Sequence, residues 1–188
     1  MNVKLAFSPV SKSPVDLLAV VLDDETTLHE IDDPTIAEHV ERAAAGFRDK
    51  SLKREYFATL GEGGAARALV VYWSPQLRSW NLWENVKTFT ARAVRLARDY
   101  RYAKVGVVVN AKEAAPFVGK VVEGAILGAD TFDRYRKEND EFLATEAELT
   151  VFAHPDHETD AEARKSRYVW VSENVNRARD FINEPGAA

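Results

Sequence analysis

The sequence predicts a single α/β domain of about six strands and four helices. Three observations carry this expectation. Short apolar runs rich in β-branched residues alternate with longer segments whose apolar residues recur every three or four positions. One run, Lys104 to Val109, is apolar almost throughout, the pattern of a central strand covered on both faces. The length, 188 residues with 46% hydrophobic residues, suits one full core, and no repeat or low-complexity stretch marks a second domain.

Val3 to Phe7 and Val15 to Leu22 read as the first two strands, with Ser11-Lys12-Ser13-Pro14 as the turn between them. Asp33-Pro34 reads as a helix start, Asp as N-cap and Pro at the first helical position, with the helix running to about Phe47. Tyr56 to Leu60 and Arg67 to Trp73 are two more strands, joined through Gly61-Glu62-Gly63-Gly64 as a hairpin turn. Asn81 to Glu84 reads as a capping box opening a helix with Leu82, Val86, Phe89, Ala93, Ala97 and Tyr100 on its apolar face.

The next helix starts near Pro116 and buries Phe117, Val118, Val121, Val122, Ala125 and Ile126; Ala147 to Ala153 is the last strand. Thr159-Asp160-Ala161-Glu162 reads as a capping box for a long terminal helix, with Arg177 and Arg179 closing it in keeping with the helix dipole. Its periodicity predicts Tyr168, Val171, Val175, Ala178 and Ile182 as the buried face. On that reading, truncating Val175 to alanine costs about 1–3 kcal/mol.

Composition excludes several chemistries. With no cysteine there is no disulfide, thiolate metal site, iron–sulfur cluster or cysteine nucleophile. The net charge of −5 argues against general polyanion binding. No apolar run approaches the roughly 20 residues of a membrane span, and Met1 to Val10 does not read as a signal peptide. The expectation is a soluble, intracellular, globular protein without membrane contact.

The chemistry-bearing residues are thinly spread. Of His29, His39, His154 and His157, only the last two lie close together, in His154-Pro155-Asp156-His157, which reads as a surface loop rather than a metal face. Gly61 to Gly64 has the composition of a phosphate cradle, but a strand follows it where such cradles lead into a helix. Asp23-Asp24-Glu25 and Asp32-Asp33 read as turns and caps. Between Leu77 and Lys104, seven Lys/Arg stand against Glu84 and Asp99. Lys87, Arg92, Arg95, Arg98 and Arg101 read as the solvated side of the helix, with an anionic partner as the alternative. Trp73, Trp80 and Trp83 form either an interface patch or a closure of the core. The residues themselves yield no active site.

Two motifs add a resemblance. Val121-Val122-Glu123-Gly124-Ala125-Ile126-Leu127-Gly128-Ala129-Asp130-Thr131-Phe132-Asp133-Arg134-Tyr135-Arg136 resembles the "EGalLgsYrFdrYK" stretch of the leucyl aminopeptidase (cytosol aminopeptidase) family. Asn176-Arg177-Ala178-Arg179-Asp180-Phe181-Ile182-Asn183-Glu184-Pro185 is similar to that family's "aRdLvNePpN" junction, and the order of elements upstream matches its N-terminal domain. There are departures: Val70-Val71-Tyr72-Trp73-Ser74-Pro75 stands where the family has a Gly-rich turn, and Gly186-Ala187 replaces the residues usual after the junction proline.

The resemblance implies a macro-domain-like three-layer sandwich, a mixed, mostly parallel sheet with helices on both faces. It implies a domain over residues 1–182, with 183–188 starting the linker to a C-terminal catalytic domain outside this chain. The family's metal-ligand motif, N-T-D-A-E-G-R, has no counterpart in these residues, so no catalytic, cofactor-binding or metal-binding residue carries over. The parent enzyme is expected to be a cytoplasmic hexamer binding two divalent metals, Zn or Mn, in the catalytic domain and releasing N-terminal residues from peptides. The partners implied are that catalytic domain and further copies. In some relatives the domain contributes to DNA binding, which the charge of this chain disfavours. The alternatives are a free-standing macro-like module for ADP-ribose or another nucleotide, and an interaction module using the Lys87 to Arg101 face.

Overall fold

A computed structural model describes residues 1–22, 31–74, 81–108, 114–130 and 147–183, the side chains of 81–83 and 114–116 excepted. The six strands are β1 (Asn2–Ala6), β2 (Val15–Leu22), β3 (Glu55–Thr59), β4 (Ala66–Trp73), β5 (Lys104–Val108) and β6 (Glu148–Phe152), in spatial order β1-β6-β5-β2-β4-β3. Every neighbouring pair is parallel except β3 with β4. The helices are α1 (Pro34–Arg48), α2 (Asn81–Asp99), α3 (Ala114–Ala129) and α4 (Glu158–Asn183). Short 3-10 turns at Val10–Lys12 and Pro155–His157 precede β2 and α4.

Burial on both sides explains the apolar runs of the central strands. In β2, Leu17 and Ala19 face α2 and α3, while Leu18, Val20 and Leu22 face Ile36, Val40, Ala43 and Phe47 of α1. The sheet is thus the middle of three layers, with α1 on one face and α2, α3 and α4 on the other. β5 lies between β6 and β2, the interior place its sequence predicts. The hairpin expectation also holds: β3 returns antiparallel into β4, and Gly61 and Gly63 take the left-handed backbone (φ +91° and +94°) that the turn needs.

The helix starts are mixed. Asp33 caps α1 as expected, its Oδ1 accepting from the Thr35 and Ile36 amides at 2.9 and 3.2 Å, with Pro34 at the first position. Helix α2 begins at Asn81, whose side chain lies outside the described residues, and Glu84 of the expected box pairs with Lys87 and Lys120. The expected box at Thr159 to Glu162 is not the start of α4. That helix begins at Glu158, running on from a 3-10 turn whose own cap is His154. Nor do Arg177 and Arg179 close it, because the helix continues to Asn183 and its last turn has no basic residue.

Two burial expectations are also corrected. Tyr100 lies beyond the end of α2 and is 53% exposed. The helix ends in a Schellman motif: Arg101 takes φ +58°, its amide donates to the Arg98 carbonyl, and the Tyr102 amide donates to the Ala97 carbonyl at 2.8 Å. That turn carries Tyr100 out of the apolar stripe. The larger correction concerns α4. Val171, Val175, Ala178 and Ile182 face outward, and only Tyr168 of the expected set is half-buried. The buried residues are Ala161 and Ser172, with Asn176 half-buried below them. The apolar stripe is real, but it is turned about a quarter of a revolution from the face that meets the domain, at about 100° per residue.

Candidate functional site

The first motif forms the seam between α2 and α3. A Cβ added at Gly124 would land on the Lys87 carbonyl, and one at Gly128 would sit 2.6 Å from the Ala91 Cα. The two glycines, one turn apart, let the helix backbones touch. Both helices run the same way, since Lys87 lies opposite Gly124 and Ala91 opposite Gly128. Around the contact, four charges alternate in sign. Glu84 pairs with Lys87 and, at 3.0 Å, with Lys120; Glu123 pairs with Lys120 at 2.8 Å and faces Lys87 at 3.6 Å. The lysine hydrogen bonds hold the Glu84 carboxyl below its ordinary range. Burial alone would lower the Lys120 ammonium, but its bonds to Glu123 and Glu84 overcome this and raise it. Every acid here faces a lysine, so the quartet is a clasp and leaves no free carboxylate pair. Motif residues 131–136 lie outside the described residues.

On its other flank α3 meets α4. Gly119 admits the Tyr168 ring, whose edge lies 2.5 Å from where a Cβ would stand, and the Lys120 Nζ sits 5.9 Å from that ring's centre. Farther along, the Asn176 side-chain amide donates to the Ile126 carbonyl at 3.3 Å. The Ser172 hydroxyl and the Asn176 Oδ1 are buried here without a hydrogen-bond partner. Polar groups therefore face the domain in the C-terminal half of α4, while Ala161, Tyr168 and Val169 nearer its start pack on the core.

The opposite polarity faces water. Trp170 is 68% exposed, Phe181 79% and Ile182 81%, with Val171 and Val175 exposed between them. Because Asn176 is level with Ile126 and α3 ends at Ala129, the last turn of α4 projects past α3. From Trp170 onward the helix thus turns large apolar side chains to water while Ser172 and Asn176 turn inward, an arrangement typical of contact surfaces. The signal was present in the sequence as Ser172 and Asn176, polar residues spaced one turn apart beside Tyr168.

Other residues named from the sequence fall apart. The His39 Nδ1 meets the Tyr56 hydroxyl at 2.6 Å between α1 and β3, far in the fold from His154 and His157, whose ring centres are 6.3 Å apart. Asp32 accepts from the Ser11 amide and hydroxyl, which lower its carboxyl, and Asp33 is the α1 cap. His29 and Asp23 to Glu25 lie outside the described residues. The basic face of α2 does not exist as one surface. Lys87 turns into the clasp, Arg92 pairs with Glu55 of β3 at 2.9 Å, and Arg101 leaves the helix at the Schellman turn. Trp73 stacks on Phe47 with ring centres 5.3 Å apart, on the core side; Trp80 and the Trp83 side chain are not described. Among the described residues, no three His, Asp or Glu side chains converge to hold a metal ion, so these residues do not fit a metal centre. No described helix is long and apolar enough to cross a membrane.

No protein-family model matches the chain. A probable cytosol aminopeptidase of Streptomyces avermitilis is 36% identical over 109 residues, covering 52% of this chain and 20% of the relative. Among solved structures, a point mutant of tomato leucine aminopeptidase superposes with a TM-score of 0.71 at 13% identity, over 98% of this chain and 38% of the tomato chain. The bottromycin maturation enzyme BotP, solved with Mn, gives a TM-score of 0.59 at 16% identity, over 91% of this chain and 32% of BotP. The chain thus spans about a fifth to two fifths of the lengths of these proteins. The chain is similar in sequence to part of a cytosol aminopeptidase and similar in fold to part of leucine aminopeptidase.

Proposed function

We propose that the chain is the non-catalytic N-terminal domain of a leucyl aminopeptidase-like enzyme, and that α4 docks it to the catalytic domain. The parent would be a cytoplasmic, hexameric exopeptidase using two divalent metals, Zn or Mn, to release N-terminal residues from peptides. Such a site needs several carboxylates around two ions roughly 3.5–4 Å apart to activate water and polarise the scissile carbonyl. In this reading residues 1–182 form the domain, 183–188 begin the linker, and the ligands lie outside this chain.

The observation that carries the reading is the outward apolar face of the C-terminal half of α4. Its outward apolar residues suit a surface that another part of the same enzyme covers, and the family motif that ends this helix stands directly before the expected junction. The partial coverage of the related aminopeptidases supports the same division of labour.

The test is hydrolysis of leucyl-p-nitroanilide by the purified 188-residue protein supplied with Mn or Zn. The expected result is a rate equal to that of metal in buffer. Turnover that follows the protein through purification and stops on addition of chelator would overturn the proposal.

A further inference from the structure

Among the described residues the sheet ends in two edge strands, and they are not alike. β1 carries Lys4 in its middle, paired with Glu148 of β6, and a charged edge of this kind resists further pairing. β3, at the far end, has no proline, glycine or lysine, and its one charged residue, Glu55 at its start, is paired with Arg92. The Leu60 amide donates to the Arg67 carbonyl, and the Trp73 amide donates to the Arg54 carbonyl. Since bonding alternates along an antiparallel ladder, Tyr56 and Ala58 also turn toward β4. The backbone N–H and C=O groups of Glu55, Phe57 and Thr59 therefore point away from the sheet.

Beside this edge lies a terrace of rings. Phe57, 38% exposed, stacks on Tyr100 with centres 5.5 Å apart, Tyr100 stacks on Tyr102 at 5.8 Å, and the Arg67 guanidinium covers Tyr102 at 5.5 Å. Exposed cations flank it. Lys53 and Arg54 lead into the strand, and Arg95 lies on the adjacent α2, one turn from Arg92, which is paired with Glu55. The chain as a whole carries −5, so this cluster runs against its overall charge.

We propose that β3 is a docking edge for an extended acidic peptide, one with carboxylates on either side of an apolar side chain, which adds as a further strand of the sheet. The alternating outward donors and acceptors match a peptide backbone, the exposed rings receive the apolar side chain, and the cations receive the carboxylates. Single-stranded nucleic acid would meet the rings and cations but not the backbone groups. A second copy of this chain would bring the same cations against each other.

The test uses a fluorescein-labelled peptide, Asp-Glu-Phe-Glu-Val-Asp, titrated with the full chain and followed by anisotropy, with amide exchange read by NMR. The expected result is saturable binding that weakens as salt is raised, with new protection at the Glu55, Phe57 and Thr59 amides. A matched peptide with lysine at each acidic position should bind at least tenfold more weakly. The Phe57→Pro variant removes one outward N–H while leaving the β4 ladder bonds in place, and should abolish binding. Should that variant fail to fold, the double variant Lys53→Glu with Arg54→Glu keeps every backbone bond and should still lower affinity at least tenfold. Equal binding of the lysine peptide, binding without protection of those three amides, preference for an oligothymidylate, or sedimentation as a dimer that buries the edge would each overturn the proposal.

Discussion

Helix α3 is held on its two flanks in different ways. Against α2 it presents Gly124 and Gly128, backbone meets backbone, and four charges pair across the join. Against α4 it presents Gly119 to a tyrosine ring, and farther along it faces Ser172 and Asn176, which keep buried polar atoms unpartnered. The first seam is complete within the chain. The second leaves the apolar side of its helix in water. Close packing and satisfied charge identify the part of the fold that is self-sufficient, and the outward apolar side chains of α4 mark the part to which the proposed reading assigns a partner.

The contrast breaks most sharply at Gly124. Alanine there would put a methyl group on the Lys87 carbonyl, which has no rotamer to relieve it. The expected cost is about 3 kcal/mol, from overpacking that only a shift of the helices can relieve. A denaturant midpoint equal to the parent's would mean that the α2–α3 seam is looser than described.

The clasp makes a smaller and pH-dependent contribution. The Glu84 carboxyl is lowered, so its stabilisation is present above the ordinary glutamate range and disappears as pH falls through the folded value. The Lys120 ammonium is raised, so its share is present below the ordinary lysine value and disappears as pH rises through the folded one. Glu84→Gln should therefore cost at most about 1 kcal/mol at neutral pH, given the partial exposure of the pair, and almost nothing in strong acid. Chemical denaturation at several pH values checks this; a cost that persists unchanged in acid would assign the effect to packing.

The smallest effect is expected on the outer face of α4. The periodicity of the sequence alone predicts about 1–3 kcal/mol for Val175→Ala, but the residue is 38% exposed. The structure lowers the expectation to less than about 0.5 kcal/mol in this chain. A loss above 1.4 kcal/mol, a tenfold shift in the folding equilibrium, would return Val175 to the core.

Much of this was legible before the structure. The strands stand within a residue or two of where β-branched runs place them, because a doubly covered strand has no polar side to obscure it. Asp33-Pro34 named its own helix start, since capping is local chemistry. The face of α4 was not legible. Periodicity locates an apolar stripe but not what covers it, and the assumption that the stripe packs on its own sheet fails here because Val171, Val175 and Ile182 face outward. The glycines at 124 and 128 could be read as a family motif. Their physical reason, the touching backbones at Lys87 and Ala91, requires two helices distant in sequence to be seen side by side.

The central claim is that the outer face of α4 is a docking surface within a larger aminopeptidase. Hydroxyl-radical footprinting of Trp170 and Phe181 tests it most directly, in the 188-residue chain and in the same chain joined to the C-terminal remainder of the Streptomyces avermitilis relative. The account predicts strong labelling of both residues in the short chain and protection of both in the joined protein, with Trp73 unchanged. Equal labelling of Trp170 and Phe181 in the two proteins, with the joined protein active, would contradict it.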